Sequence, residues 1–299
     1  MAKVAILAIH GMGPKDQSTF DEFEEKLKQK LKRMKITTDD YSYRTFKYFE
    51  VFRERANRVF ELTEDLNWQF IRYFLTHYLG DALAYQREAG GATRINYYDL
   101  IHEKLEKEVT AWRAEIGEDV PLVLVAHSLG AYIISNYVWD HQKYDTLNTP
   151  FENMETVCSF ITMGCNIPIL TLAFESDKLY PINIPGQALE DREVFDWQNY
   201  YTTSDPLSMP LKTFYNHKTD DQERTIHKID DRQVKIGSLL SRWTPFSHAG
   251  YWKDKKMTDA VANKIKQIIR SYLRLPSILT ANSGQDFTNH WNPDYTSFK

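Results

Sequence analysis

Residues 124–133 read LVAHSLGAYI. The run 122–126, LVLVA, is apolar without a break, the pattern of a strand buried on both faces of a parallel sheet. It stops at His127 and Ser128, and from Leu129 to about residue 139 the apolar positions return with helical spacing. A strand passing straight into a helix through one serine is a strand, turn and helix unit. Units of that kind in succession build an α/β sheet.

The same alternation extends outward on both sides. Residues 4–9, VAILAI, form a second buried run, broken by Gly11, Gly13 and Pro14, and residues 18–34 are helical in period. Residues 41–52, YSYRTFKYFEVF, are dense in Tyr and Phe and partly alternate, which predicts another strand. From 53 to about 86 the chain carries many aromatic and aliphatic residues with neither Gly nor Pro before Gly80, which predicts one or two helices closed by Gly90-Gly91. Residues 98–116 read as a helix, 157–163 as a strand halted by Gly164 and Pro168, and 200–201 as the end of a strand leading into Ser204-Asp205-Pro206. The final helix is expected over about 257–273, after a short segment centred on His248, and the Asn-, Ser- and Thr-rich tail from 276 to 299 is expected to be irregular. The predicted fold is α/β: a mostly parallel sheet with helices on both faces, in one domain over 1–299, with a helical cap inserted at about 53–90.

Bulk chemistry narrows the function. Thirty-seven Lys and Arg against 41 Asp and Glu leave a net charge of −4, so no positive field exists to gather nucleic acid. The basic cluster KLKQKLKRMK at 26–35 fits a solvated helix face with Leu27, Leu31 and Met34 turned inward. Cys158 and Cys165 lie seven apart in an apolar stretch, neither a metal spacing nor a disulfide framework, and read as buried thiols. No run approaches the ~20 apolar residues of a membrane span, and the first residues lack the pattern of a secretory signal, so a cytoplasmic setting is expected.

In an open parallel sheet the residues just past the carboxyl ends of the strands face the ligand crevice. Ser128 and Asp205 hold such positions, and His248 lies in SHAGYW ahead of the last helix. The three residue types complement one another chemically. A serine hydroxyl is a weak nucleophile unless an imidazole takes its proton, and the imidazole needs a carboxylate to hold its tautomer and steady its charge. Taken alone, HSLG also fits a helix-capping serine, and Ser-Asp-Pro a simple turn. HGMGPKDQ lacks both the G-K-[ST] ending of a phosphate loop and the GxGxxG spacing, which argues against a nucleotide role.

With AIHGMG at 8–13, VAHSLG at 125–130, TSDPLS at 203–208 and SHAGYW at 247–252, the chain resembles the α/β-hydrolase superfamily, in particular its lipase-like and esterase-like branches. Ala126 stands where the G-x-S-x-G pattern has its first glycine, a departure that keeps a small residue in the turn. The resemblance implies Ser128 as nucleophile, His248 as general base and then acid, and Asp205 as its orienter. It implies backbone N–H groups of Met12 and Leu129 as the oxyanion hole, with His10, Gly11, Gly13, His127 and Gly130 in support. Asp191 and Asp196 are rivals for the orienter, and His227 for the base; His217 and His290 fit a charged surface stretch and the tail. The implied reaction is cleavage of a small-molecule or lipid-like carboxylic ester through an acyl-enzyme, with neither metal nor organic cofactor. A thioesterase or acyltransferase using the same three residues, and a noncatalytic binding protein that keeps the fold, stay open beside it.

Overall fold

The computed structural model describes residues 3–11, 17–63, 65–74, 76–77, 80–86, 95–144, 149–172, 174, 179–189, 196–215, 228–236 and 245–273. Met12, Gly13, Asp191, His217, His227, His290 and the tail from 276 lie outside them.

Six strands form one wholly parallel sheet: β1 (Val4–Ile9), β2 (Tyr41–Phe46), β3 (Leu122–His127), β4 (Val157–Met163), β5 (Asp196–Tyr201) and β6 (Ile229–Gln233), in the order β2-β1-β3-β4-β5-β6. The expected α/β architecture is what the chain adopts. The helices are α1 (Gln17–Arg33), α2 (Phe49–Glu61), α3 (Gln69–Phe74), α4 (Gly80–Ala84), α5 (Tyr97–Ile116), α6 (Leu129–Tyr144), α7 (Ile167–Leu170), α8 (Lys212–Tyr215) and α9 (Lys255–Leu273). A 3₁₀ segment, Pro245–Lys253, precedes α9. Among the described residues no helix is long and apolar enough to cross a membrane.

The continuous apolar strands follow from burial on both faces. Ala5, Leu7 and Ile9 of β1 and Leu122, Leu124 and Ala126 of β3 share a core with Ile101, Leu105 and Val109 of α5 and Ile133 and Tyr137 of α6. The alternate residues, Val4, Ile6 and Ala8 with Val123 and Val125, pack on the other side against Phe20, Phe23, Leu27 and Leu31 of α1 and Val261, Ile265 and Ile268 of α9. Each fully buried side chain of this size contributes roughly 1.5–3 kcal/mol, so α1 docks through its apolar stripe. Its Lys-rich face is solvated and laced with Glu22–Lys26 and Glu24–Lys28 pairs, both 2.7 Å, worth only a few tenths of a kcal/mol each.

One expectation is corrected, and one strand has no signal in the sequence. The strand expected over 41–52 ends at Phe46, and Phe49 already begins α2. Aromatic-rich sequence fits either period, and burial decides: Phe46 and Tyr48 are fully buried, after which Phe49 and Phe52 follow helical spacing. Residues 229–233, IDDRQ, carry no strand pattern, yet they pair in register with β5 from Trp197 to Tyr201. Asp230, Asp231 and Arg232 are held at this sheet edge because each finds a partner, Asp230 accepting from Arg232 Nε at 2.7 Å. Asp231 accepts hydrogen bonds from Asn199 Nδ2 at 2.7 Å and from the backbone N–H groups of Leu211 and Lys212, both 2.9 Å. Arg232 donates to Tyr200 Oη at 2.9 Å and Gln198 Oε1 at 3.1 Å. The loop between β5 and α8, which carries Asp205, is thereby tied down at both ends.

Candidate active site

Chain order reverses between β1 and β3, since β2 lies on one side of β1 and all later strands on the other. In open α/β sheets such a switch point, at the carboxyl ends of the strands, is where ligands bind. Ser128 stands there, directly after β3, with φ 55°. A non-glycine residue in the left-handed region costs about 1–3 kcal/mol and persists only where its surroundings fix it. Here its N–H donates to the Met163 carbonyl at 3.0 Å, and its own carbonyl accepts from the Ala131 N–H at 2.9 Å as α6 begins.

The small residues of the motif answer to close approach. A Cβ on Gly130 would lie 2.1 Å from the His10 carbonyl oxygen, and one on Gly11 would lie 2.8 Å from Ser128 Cβ and 2.5 Å from His127 Nδ1. The loop after β1 and the serine turn are thus in direct contact. His10 Nδ1–H donates to the Gly11 carbonyl at 2.6 Å, and its ring stacks on Tyr48 with centroids 4.3 Å apart. Leu129 is the first residue of α6 and fully buried; the first N–H groups of a helix have no intrahelical acceptor.

Asp205 follows β5 in a compact turn. Its N–H donates to the Thr202 carbonyl at 3.1 Å, its Oδ1 accepts from the Leu207 N–H at 3.0 Å, and Ser208 Oγ donates to the Thr202 carbonyl at 3.0 Å. A carboxylate bonded to the amide two residues on is the local geometry Asp favours in turns. Asp205 Oδ2 accepts from His248 Nδ1–H at 2.7 Å, and His248 Nε2 accepts from Ser128 Oγ–H at 2.7 Å. Ser128 is 0%, His248 3% and Asp205 3% exposed, so this line of hydrogen bonds runs in a low-dielectric setting where each is strengthened.

Asp196 is elsewhere. It opens β5, at the opposite edge of the sheet and roughly 17 Å of strand from Tyr201 at ~3.3 Å per residue. Its carboxylate pairs with the buried Lys264 at 2.9 Å and accepts from Ser159 Oγ at 3.2 Å. Cys165 is buried just past β4, and burial pushes its thiol up to about 12, which keeps it protonated and unreactive. Among the described residues no three His, Cys, Asp or Glu side chains gather as metal ligands.

The motif alone makes His127 a supporting residue without a specific contact and gives Tyr251 no role. In the structure both touch the site. His127 Nε2–H donates to the His248 carbonyl at 2.7 Å, so the end of β3 holds the backbone of the imidazole facing Ser128. Tyr251 Oη–H donates to Asp205 Oδ2 at 3.2 Å. The spacing H-A-G-Y is the signal for it, but only once the segment is known to be 3₁₀.

No protein-family model matches the chain, and no curated protein matches it. Solved structures similar to it include the RedJ thioesterase of the prodiginine biosynthetic pathway in Streptomyces coelicolor, at 10% identity over 88% of this chain and 86% of that one, TM-score 0.40. Another is a cutinase-like protein from Cryptococcus sp., at 9% identity over 89% and 95%, TM-score 0.40. A third is a Xanthomonas campestris member of the α/β serine hydrolases without a lid, at 10% identity over 91% and 84%, TM-score 0.37. At such identities the activity of this chain has to be read from its own residues.

Proposed function

We propose that the chain is a serine hydrolase of the α/β-hydrolase type, cleaving a carboxylic ester through an acyl-enzyme. The observation that carries this reading is the unbroken line from Ser128 Oγ through the His248 ring to Asp205, 2.7 Å at each step and buried throughout. Ser128 Oγ attacks the ester carbonyl carbon while its proton passes to His248 Nε2, and the carbonyl electron pair moves onto the oxygen. Collapse of that tetrahedral species expels the alcohol oxygen, which takes the proton from Nε2–H. Water then repeats the sequence on the acyl-serine and releases the acid. Asp205 keeps the proton on Nδ1, so Nε2 is free to accept, and steadies the imidazolium.

The backbone N–H of Leu129, at the start of α6, and that of Met12, carried over from the family resemblance, receive the oxyanion in this reading. Loss of one such donor raises the barrier by about 2.7–4 kcal/mol. Gly11 and Gly130 allow the two loops to meet, with His10 and His127 bracing them, and Gly13 is carried over from the family resemblance alone. The whole chain is read as one domain in which the segment at about 53–90 caps the site and receives the acyl group. Two features support the cap: α2, which leads into the segment, starts at Phe49 with its ring centroid 5.3 Å from that of His10, and within the segment Leu62, Leu66 and Trp68 keep 79%, 48% and 73% of their surface exposed. Apolar side chains left in water on that segment suit a lipid-like acyl chain.

The test is a fluorophosphonate with a series of p-nitrophenyl esters of increasing chain length, applied to the wild type and to Ser128→Ala. One serine becomes labelled, and the substitution abolishes both labelling and turnover. Labelling that persists in Ser128→Ala overturns the reading, and an added alcohol or thiol that captures the acyl group turns it toward a transferase.

A further inference from the structure

His248 and Tyr251 sit three residues apart in the 3₁₀ segment Pro245–Lys253. With three residues per turn, side chains at i and i+3 stand on one face, one above the other. Both reach the same atom. His248 Nδ1–H donates to Asp205 Oδ2 at 2.7 Å and Tyr251 Oη–H donates to that oxygen at 3.2 Å, while Oδ1 accepts from the Leu207 N–H at 3.0 Å. Tyr251 is 0% exposed, and burial first, with the negative charge of Asp205 second, pushes its hydroxyl far above the ordinary tyrosine range. The phenol therefore remains a donor across the whole range in which an imidazole titrates. Gly164, with φ 57°, makes room for the pair: a Cβ there would lie 3.0 Å from Tyr251 Cε2 and 3.2 Å from His248 Nδ1.

We propose that Tyr251 is a positioning residue of the site, fixing the Asp205 carboxylate and setting how strongly it holds the proton on His248. The inference rests on the triad reading above. A hydrogen bond donated to a carboxylate oxygen draws part of its charge onto the donor, and less charge on Oδ2 means a weaker hold on the imidazolium. Tyr251 thus shares Asp205 Oδ2 with the imidazole and tempers the grip of the carboxylate on the proton that His248 must take from Ser128 and give to the leaving group. Among the described residues, the groups facing His248 are Ser128 from the serine turn, His127 from the end of β3, Gly164 from the end of β4, Asp205 from the loop after β5, and Tyr251 in its own segment. Of these, His127, Asp205 and Tyr251 are titratable. The bond from His127 goes to the backbone carbonyl and does not involve the tyrosine hydroxyl.

The test is Tyr251→Phe in the full chain, which removes one oxygen and keeps every ring contact. The imidazole of His248 is titrated by NMR, its resonances assigned against His248→Gln, and kcat and KM are followed across pH. Without the phenol, Asp205 keeps more of its charge and favours the imidazolium, so the titration midpoint of His248 moves up by about 0.5 unit or more. The acid limb of kcat/KM moves up with it, and kcat falls while KM holds. Tyr251→Met, which also lacks the hydroxyl and fills the space flexibly, gives the same direction. In an Asp205→Asn background the tyrosine substitution no longer moves the midpoint. A midpoint unchanged in both single variants, or moved equally in the Asn background, overturns the proposal. The NMR readout needs no turnover, so it stands apart from any failure of the hydrolase reading, which the Ser128 labelling reports.

Discussion

Gly130→Ala isolates the contact between the loop after β1 and the serine turn. The added Cβ would lie 2.1 Å from the His10 carbonyl oxygen and 2.9 Å from Ile9 Cγ2. Carbon and oxygen tolerate an approach of ~3.3 Å, so α6 and the β1 end must part by roughly 1 Å. In an open helix the same change gains up to ~1 kcal/mol of propensity, whereas forcing a methyl into a packed site costs about 1–3 kcal/mol. The net effect is a loss of roughly 1–2 kcal/mol of stability. The functional loss is larger, because the shifted backbone leads directly into Gly11 and the proposed oxyanion donors. A misplacement of ~1 Å costs about 10²-fold in rate, and loss of a donor about 10²–10³-fold. Urea unfolding measures the first quantity and ester turnover the second. Gly117→Ala serves as the control, since a Cβ there meets only Val120 Cγ2 at 4.0 Å while φ is 102°, so it lowers stability without touching turnover. A Gly130→Ala protein with wild-type kcat and an unchanged unfolding midpoint refutes the reasoning.

Two further outcomes are expected. Asp205→Asn folds and loses about 10⁴-fold in kcat, as an amide N–H toward His248 favours the wrong tautomer, whereas Asp196→Asn loses stability by removing a charged partner of the buried Lys264 yet stays within about tenfold in activity once folded; the reverse ranking at one pH, on folded protein, would remove Asp205 from the orienter role. Trp68 is 73% exposed, so Trp68→Ala changes stability by no more than ~0.5 kcal/mol while altering KM along the ester series; an unchanged chain-length profile removes the cap from the reading.

The strands β1, β3 and β4 are legible in the sequence because burial on both faces forces an uninterrupted apolar run, and the breaks after them are marked by glycine or serine. β6 is hidden because IDDRQ owes its pairing to partners far along the chain, Asn199, Leu211 and Lys212, that no local window contains. The start of α2 is hidden for a different reason: KYFEVF satisfies a strand pattern and a helix pattern equally, and only the seating of Phe46 and Tyr48 in the core separates them. Ser128, Asp205 and His248 can be named from the sequence since each lies where a periodic pattern breaks at a strand or helix end, and the structure brings those three side chains into one hydrogen-bonded line. Which neighbours brace them is not legible there. The bonds from His127 to the His248 backbone and from Tyr251 to Asp205 depend on which strand ends lie side by side, a property of sheet order and not of any motif.

Sheet order also governs when the site can come into being during folding. Ser128 meets His248 across 120 residues of chain and His248 meets Asp205 across 43, so no early local structure contains either of these two hydrogen bonds. Closing such long loops is entropically slow, and in parallel sheets it comes late. The serine turn gains its imidazole neighbour only once the 3₁₀ segment has docked against it. Reactivity toward a fluorophosphonate during refolding should therefore lag behind the recovery of helical signal, and a nascent chain released before residue 248 would carry Ser128 without the imidazole it bonds to.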